Sequence, residues 1–252
     1  MSDSSSLRIG LIPFINTMPL DYYLPQTLPQ AQFVRDVPSQ LAPLLARGEI
    51  DAALLSSIEL LRHPEYGYIP GMGICSENHV ASVCLFAKGE PQDVKTAALD
   101  NRSLTSSILL RVLYAEYWRR QLQWISYAPP VENGLQIADA ALAIGDAALE
   151  YGGEERRIDL GEVWKRFSGF PFVFAVWIVR PGLPPESIRA PFAEAKRLGM
   201  ENRRRLAAVC AEKGVKDAAF YYNYLTQNVG YDLGPKEQQG MEFFFQKAKP
   251  FL

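Results

Sequence analysis

The sequence has little cysteine and little histidine. Its 252 residues include three cysteines and two histidines, and no two cysteines have the CxxC spacing of metal and redox sites. We find no Ser–His–Asp order, no metal-ligand spacing and no glycine-rich phosphate loop, so we expect no metal and no cofactor. Cys75 and Cys84 lie in apolar runs, which predicts reduced thiols in a core and favours a reducing cytoplasm.

An excess of positive charge is also absent. Lys and Arg together number 26 and Asp and Glu 28, which gives a net charge of −2. The densest basic cluster, Arg203-Arg204-Arg205, falls within an amphipathic helical pattern and indicates a solvated helix face. We therefore expect no nucleic-acid partner.

Long apolar runs are missing as well. No run is long enough to span a bilayer. The run from Leu7 to Ile15 is interrupted by Arg8 and Pro13, and no positively charged segment precedes it. It therefore makes a poor signal peptide. We expect no membrane partner and a cytoplasmic location.

Strand and helix patterns alternate along the first part of the chain. Residues 7–12, 32–36 and 52–55 predict strands, and Ser39 is predicted to cap a helix that Gly48 closes. Ser56 and Glu59 have the spacing of a capping box. This order predicts an α/β fold with a parallel sheet. Ligands bind outside the carboxyl ends of such strands, where the chain carries polar residues: Asn16, Thr17, Ser56 and Ser57.

Two long apolar strands bracket a central block that has its own alternation of strands and helices. The strands are 80–87 and 172–179. We predict a discontinuous outer lobe of residues 1–87 and 177–252, and an inserted inner lobe of residues 88–176. Two lobes with a cleft between them form a closing ligand trap.

A hydroxyl-rich stretch follows the predicted strand 96–99. Residues 100–107 read Asp-Asn-Arg-Ser-Leu-Thr-Ser-Ser and open a helix. One interpretation is an N-cap that does nothing else. The other is an anion cradle, in which free backbone N–H groups join the hydroxyls of Ser103, Thr105 and Ser106. Asp146, after the predicted strand 140–144, is likewise either a helix cap or a cleft residue.

Several motifs together resemble one family, in the family's order. They cover roughly residues 7 to 180 and lie at 13–20, 48–59, 82–83, 99–106, 144–149, 159–161 and 171–177. The set resembles chorismate dehydratase, the first enzyme of the futalosine route to menaquinone. The sequence departs from the family pattern at Asn78-His79, where a glycine is expected, and at Ser168, where Thr is more usual.

The resemblance implies an α/β, two-lobed fold like that of type 2 periplasmic binding proteins, with mixed sheets flanked by helices and a central cleft. It implies a lyase that removes water from chorismate, a small dicarboxylate, and gives 3-[(1-carboxyvinyl)oxy]benzoate. Uncharged donors would hold the dianion. We expect catalytic roles for Asn16 and Ser82. We expect substrate binding by Thr17, Ser56, Ser103, Thr105, Ser106, Gly145 and Asp146.

The identity of the base is a separate question. His63 lies in a predicted surface turn, and His79 lies in the loop where the sequence departs from the family pattern. Our hypothesis is that the substrate's enolpyruvyl carboxylate removes the ring proton at C3, while the protein fixes the geometry. Two alternatives stay open. One is a non-catalytic protein that binds small anions, and the other is the 1,4-dihydroxy-6-naphthoate synthase of the same pathway, for which we expect a histidine in the cleft.

Overall fold

A computed structural model describes residues 6–252. Residues 1–5, which the predicted outer lobe includes, lie outside the described residues. The strands, numbered in chain order, are β1 Arg8–Leu11, β2 Gln32–Arg35, β3 Ala52–Ser56, β4 Gly67–Ser76, β5 Val83–Ala87, β6 Thr96–Asp100, β7 Gln123–Tyr127, β8 Ala140–Ile144, β9 Arg156–Asp159 and β10 Phe172–Val179.

The α-helices are flanked by a few short 3₁₀ and π turns. Their bounds are α1 Met18–Asp21, α2 Leu24–Thr27, α3 Pro38–Ala46, α4 Glu59–Arg62, α5 Leu104–Val112, α6 Val131–Ile137, α7 Asp146–Glu150, α8 Leu160–Ser168, α9 Pro185–Glu201, α10 Arg203–Ala211, α11 Ala218–Asn223 and α12 Pro235–Ala248. No described helix has both the length and the apolar character needed to cross a membrane.

The described strands form two mixed sheets, which confirms the predicted α/β fold class. The first sheet has the order β2-β1-β3-β10-β4, and the second has the order β7-β6-β8-β5-β9. In each sheet three strands run parallel, and a strand antiparallel to its neighbours follows them. The central strands β3 and β8 are buried along their whole length, as expected for continuous apolar runs covered on both faces.

The strand pairing differs from the predicted lobe boundaries in two places. Strand β5 pairs with β8 and β9, so it belongs to the sheet of the inner lobe. Strand β10 pairs along its length with β3 and β4, so it belongs to the outer lobe. Neither strand links the two sheets. The chain instead passes between the lobes at residues 77–82 and at 169–171.

Two predicted helix caps are wrong. The structure starts α3 at Pro38, with Val37 as a cap residue that makes no side-chain bond, because proline is suited to the first helical position. Helix α4 starts after Ile58, which leaves Ser56 in strand β3. Its supposed partner Glu59 instead forms an ion pair with Arg62 at 3.1 Å.

Aromatic packing joins the C-terminal helices to both lobes. Trp164 on α8 is fully buried and contacts Phe172 on β10 and Phe244 on α12, with ring centroids 5.2 and 5.8 Å apart. Helix α12 contacts β10 in the outer lobe and α5 in the inner lobe. Cys75, Cys84 and Cys210 are buried free thiols, which confirms the predicted core positions of the first two.

Candidate active site

A small cavity of about 60 Å³ lies between the lobes. Strands β3, β4 and β10 and the segment between β1 and α1 supply one wall. The other wall consists of the segment that leads into β5, the start of α5 and the end of β8. It is lined by seven of the nine predicted site residues: Asn16, Thr17, Ser56, Ser82, Ser103, Ser106 and Gly145. No charged side chain of the described residues lines it. We call this cavity the cleft.

Among the described residues that line the cleft, Asn16 and Ser82 each have a buried polar atom without a hydrogen-bond partner. Asn16 lies in the 3₁₀ turn Ile15–Thr17 of the outer lobe, and Ser82 precedes β5. Asn16 Oδ1 makes no hydrogen bond to a described residue, and neither does Ser82 Oγ, although the buried Tyr224 hydroxyl is its neighbour. Leaving such a group unpaired costs about 1–3 kcal/mol, and buried polar groups without partners are rare. Both side chains are therefore suited to a polar ligand.

The turn that carries Ser82 is held by Asp159, which the sequence analysis did not identify. The Asp159 carboxylate accepts hydrogen bonds from the backbone N–H groups of Val80 (3.1 Å) and Ala81 (2.6 Å). Ala81 has a φ of 63°, a conformation that residues other than glycine rarely adopt. The carboxylate thus stabilises a strained turn, and the next residue is directed into the cleft.

The hydroxyl-rich start of α5 forms the predicted N-cap. Ser103 is the N-cap, and its Oγ accepts from the Ser106 backbone N–H at 3.3 Å. Its hydroxyl also lies 3.0 Å from the Ser106 hydroxyl. The cap prediction is therefore confirmed for Ser103. Both serines also line the cleft, where the positive end of the helix dipole lies.

Thr105 is placed differently from the prediction. It is fully buried and does not line the cleft. Its hydroxyl accepts from the Ile58 backbone N–H at 3.3 Å, and its own backbone N–H lies 3.5 Å from Ser56 Oγ. Because the helix phase turns Thr105 toward β3 and α4, it joins the lobes instead of facing a ligand.

Asp146 also lies beside the cleft and not in its wall. Gly145, with a φ of 61°, is the cap residue of α7, so of the two interpretations of Asp146 the helix cap is wrong. Asp146 Oδ1 accepts from the Ile15 backbone N–H of the other lobe at 3.2 Å. Burial raises the pKa of Asp146 from 3.8 to about 6. The carboxyl therefore links the lobes next to Asn16.

Thr17 lines the cleft, but its hydroxyl is occupied. It lies 3.0 Å from the Ile12 carbonyl oxygen and 2.9 Å from both the Phe14 carbonyl oxygen and Asp21 Oδ2. A hydroxyl has one proton, and carbonyl oxygens only accept. The Thr17 hydroxyl therefore donates its proton toward the carbonyl oxygens. It accepts a hydrogen bond from Asp21 when the Asp21 carboxyl is protonated. Burial raises the pKa of Asp21 to about 7, which agrees with this assignment.

Neither histidine lines the cleft. His79 is half exposed, with its Nε2 3.4 Å from Asp159 Oδ2, and it contacts Asn228 through Nδ1 at 2.9 Å. His63 stacks on Tyr66 with ring centroids 4.8 Å apart. Within residues 6–252 no group of three or more His, Cys, Asp or Glu side chains is arranged to hold a metal ion.

The cleft is too small for a drug-sized ligand, since pockets for such molecules enclose about 300–1,000 Å³. A second, larger cavity of about 650 Å³ adjoins it and shares three lining residues with it, Pro38, Ser56 and Ser103. A drug-sized ligand fits the cleft only if its walls move apart.

Comparison with solved structures identifies the fold. A protein from Archaeoglobus fulgidus matches with a TM-score of 0.78 at 15% identity, over 99% of this chain and 98% of that one. The periplasmic aliphatic sulphonate binding protein of Escherichia coli matches with a TM-score of 0.62 at 18% identity, over 97% and 88% of the two chains. The fold is therefore that of periplasmic binding proteins, as the resemblance implied.

Comparison of sequences identifies relatives. A chorismate dehydratase from Thermus thermophilus is 30% identical over 265 aligned positions, which cover 94% of this chain and 93% of the relative. A chorismate dehydratase from Campylobacter jejuni is 32% identical over 174 positions, covering 66% and 64% of the two chains. The model of a family described as "Menaquinone biosynthesis" matches residues 7–250. With nearly its whole length matched, the chain belongs to this menaquinone biosynthesis family.

Proposed function

We propose that the protein is a hydro-lyase that converts chorismate to 3-[(1-carboxyvinyl)oxy]benzoate and water. The observation that carries the proposal is the pair of unpartnered polar atoms, Asn16 Oδ1 and Ser82 Oγ, which line one cleft from different lobes. Two relatives named chorismate dehydratase support the choice of substrate. The futalosine route and a cytoplasmic location remain predictions.

The reaction needs little from the protein beyond placement. The C3–H bond breaks and its electron pair forms the C3–C4 double bond that completes the aromatic ring, while the C4–O bond breaks and its electron pair leaves with the hydroxide. The proton from C3 passes to the enolpyruvyl carboxylate of the same molecule and leaves with the hydroxide as water. Fixing the carboxylate over C3 converts this transfer into a well-oriented intramolecular step, which accelerates reactions strongly. No protein base is required, in agreement with a cleft without charged side chains.

Asn16 and Ser82 are assigned the roles that need hydrogen-bonding groups. The Asn16 amide orients the reacting carboxylate or the leaving hydroxyl, and the Ser82 hydroxyl donates to a carboxylate. Ser103 and Ser106, at the positive end of α5, face the same space and suit the second carboxylate. Preorganised neutral donors in a site that excludes water stabilise developing negative charge effectively.

The alternatives are less well supported. For the naphthoate synthase we expected a histidine in the cleft, and neither histidine lines it. For a non-catalytic protein, the likeness to sulphonate-binding proteins concerns the fold alone, at 18% identity. The relatives that match across most of the chain are named as enzymes.

Turnover of two variants tests the proposal. We expect Asn16→Ala to lower kcat by about 10²–10³, the usual loss when one preorganised polar contact is removed. We expect His79→Ala, in which the imidazole lies outside the cleft, to keep kcat within about threefold of wild type. The assay follows loss of chorismate, with circular dichroism as a check on folding. Loss of turnover in His79→Ala with chorismate binding intact, beside a nearly silent Asn16→Ala, would show that the substrate does not act as its own base.

A further inference from the structure

The larger cavity, which we call the outer compartment, lies between the lobes and opens toward solvent. Its volume of about 650 Å³ lies within the range of small-molecule sites, about 300–1,000 Å³. Helices α3 and α4 form one wall, and the segment from β6 into α5, with β7, forms the other. Since Pro38, Ser56 and Ser103 also line the cleft, the two spaces are neighbours.

The charged side chains of the outer compartment leave one cation uncompensated. Arg62 contacts both oxygens of Glu59 at 3.1 Å, and Arg102 forms an ion pair with Asp100 at 2.6 Å. The Arg111 side chain forms no hydrogen bond or ion pair with any residue in 6–252. Because Arg62 and Arg102 are matched by two carboxylates, Arg111 gives the lining a net positive charge.

Arg111 is also held in place. It lies near the end of α5, and its guanidinium carbon sits 5.2 Å from the centre of the Trp124 ring on β7. Partial burial lowers the pKa of Arg111, as expected for a cation that lacks an anionic neighbour. A guanidinium that lies over an aromatic ring without other partners keeps its N–H groups available for a carboxylate.

We propose that the outer compartment is a second binding site, which takes cyclic dicarboxylates through Arg111 and Trp124 before they move into the cleft. Arg111 would bind one carboxylate, and the Trp124 side chain would contact the ring. The identity of the natural ligand rests on the proposed function, because chorismate and its product are both cyclic dicarboxylates. The placement explains how a dianion is drawn toward a cleft that has no charged side chain of its own.

Binding of an inert probe tests the site without turnover. Calorimetry at low salt with benzene-1,3-dicarboxylate should show binding to the wild-type chain. Arg111→Gln should weaken it about fivefold, as expected for one charge acting on a dianion at several ångströms in a high-dielectric space. Arg111→Lys, which keeps the charge, should lie between the two. Arg205→Gln is the matched control, because Arg205 is exposed on α10 and does not line the compartment.

The outcomes separate this proposal from the proposed function. Equal affinity in Arg111→Gln and wild type, or no measurable binding by wild type, overturns the second site. Weaker binding in Asn16→Ala with Arg111→Gln unchanged also overturns it, since the probe would then occupy the cleft. If the probe binds through Arg111 but chorismate is not converted, the second site stands and the dehydratase function fails.

Kinetics with chorismate separate substrate from product as the occupant. If the substrate uses the site, Arg111→Gln raises KM about fivefold at low salt and leaves kcat unchanged, and the difference shrinks as salt screens the charge. If the product uses the site, KM is unchanged and product inhibition weakens by a similar factor. A fall in kcat with neither effect contradicts the proposal.

Discussion

Replacing Asp21 with asparagine should make the protein more stable, and increasingly so as the pH rises. Asp21 is 4% exposed, and its carboxyl meets the Thr17 hydroxyl at 2.9 Å. The hydrogen-bond geometry fits a protonated acid that donates to Thr17. An asparagine amide can donate in the same place and cannot ionise, so Asp21→Asn keeps the contact and removes the charge.

The magnitude follows from the pKa of Asp21, which burial raises from 3.8 to about 7. The folded protein therefore holds a proton that the unfolded chain releases at lower pH, so wild-type stability falls as pH rises from about 4 to about 7. At about 1.4 kcal/mol for each pKa unit, the full loss is about 4 kcal/mol. About 2–3 kcal/mol of this loss in unfolding free energy occurs between pH 5 and pH 8.

Urea unfolding of both proteins across this pH range measures the effect. The gain in unfolding free energy of Asp21→Asn over wild type should grow by about 2–3 kcal/mol from about pH 5 to about pH 8. Asp146, whose pKa is raised to about 6, titrates in both proteins, so its contribution cancels. Asp93→Asn, at an exposed position, should show no such trend. A gain that does not change with pH would refute the protonated assignment.

Two further substitutions test the cleft and the packing. Ser82→Ala should lower kcat by about 10². Its unfolding free energy should stay equal or rise by about 1 kcal/mol, because the lost hydroxyl makes no hydrogen bond to a described residue, although the Tyr224 hydroxyl is its neighbour. Kinetics and thermal melts check both, and a large loss of stability would show that the Ser82 hydroxyl has a partner in the folded protein. Gly199→Ala should destabilise by about 1–3 kcal/mol, because a Cβ there would overlap the Pro19 backbone carbonyl where α9 crosses α1. Gly152→Ala, where a Cβ meets nothing within 4 Å, is its control in the same melts.

The fold class could be predicted from the sequence because its central strands are continuous apolar runs. Strands such as β3 and β8 are buried on both faces, and that pattern is visible without tertiary information. The lobe boundaries could not be placed to the residue. The sequence of β5 does not reveal which sheet it joins, because the strands with which it pairs are distant in sequence.

The candidate site was predictable in its position and less so in its details. Polar residues at strand ends marked the cleft: Asn16, Thr17 and Ser56 line it, whereas the Ser57 hydroxyl donates to the Val173 carbonyl oxygen instead. Ser82, which also lines it, was predicted only from the family resemblance. Which of the hydroxyls on α5 faces the cleft depends on how the lobes meet, so Thr105 and Ser106 could not be told apart in sequence. Asp159 was missed because its partners, the Val80 and Ala81 N–H groups, lie 78 or more residues away.

The most direct test of the central claim is the mass of what the protein makes from chorismate. Purified protein and chorismate are incubated without added cofactor, and the mixture is resolved by mass spectrometry. We expect a product lighter than chorismate by one water, with the aromatic absorbance of a substituted benzoate, formed by wild type and hardly at all by Asn16→Ala. Tight binding of chorismate with no change in its mass would contradict the account and favour a non-catalytic binding protein.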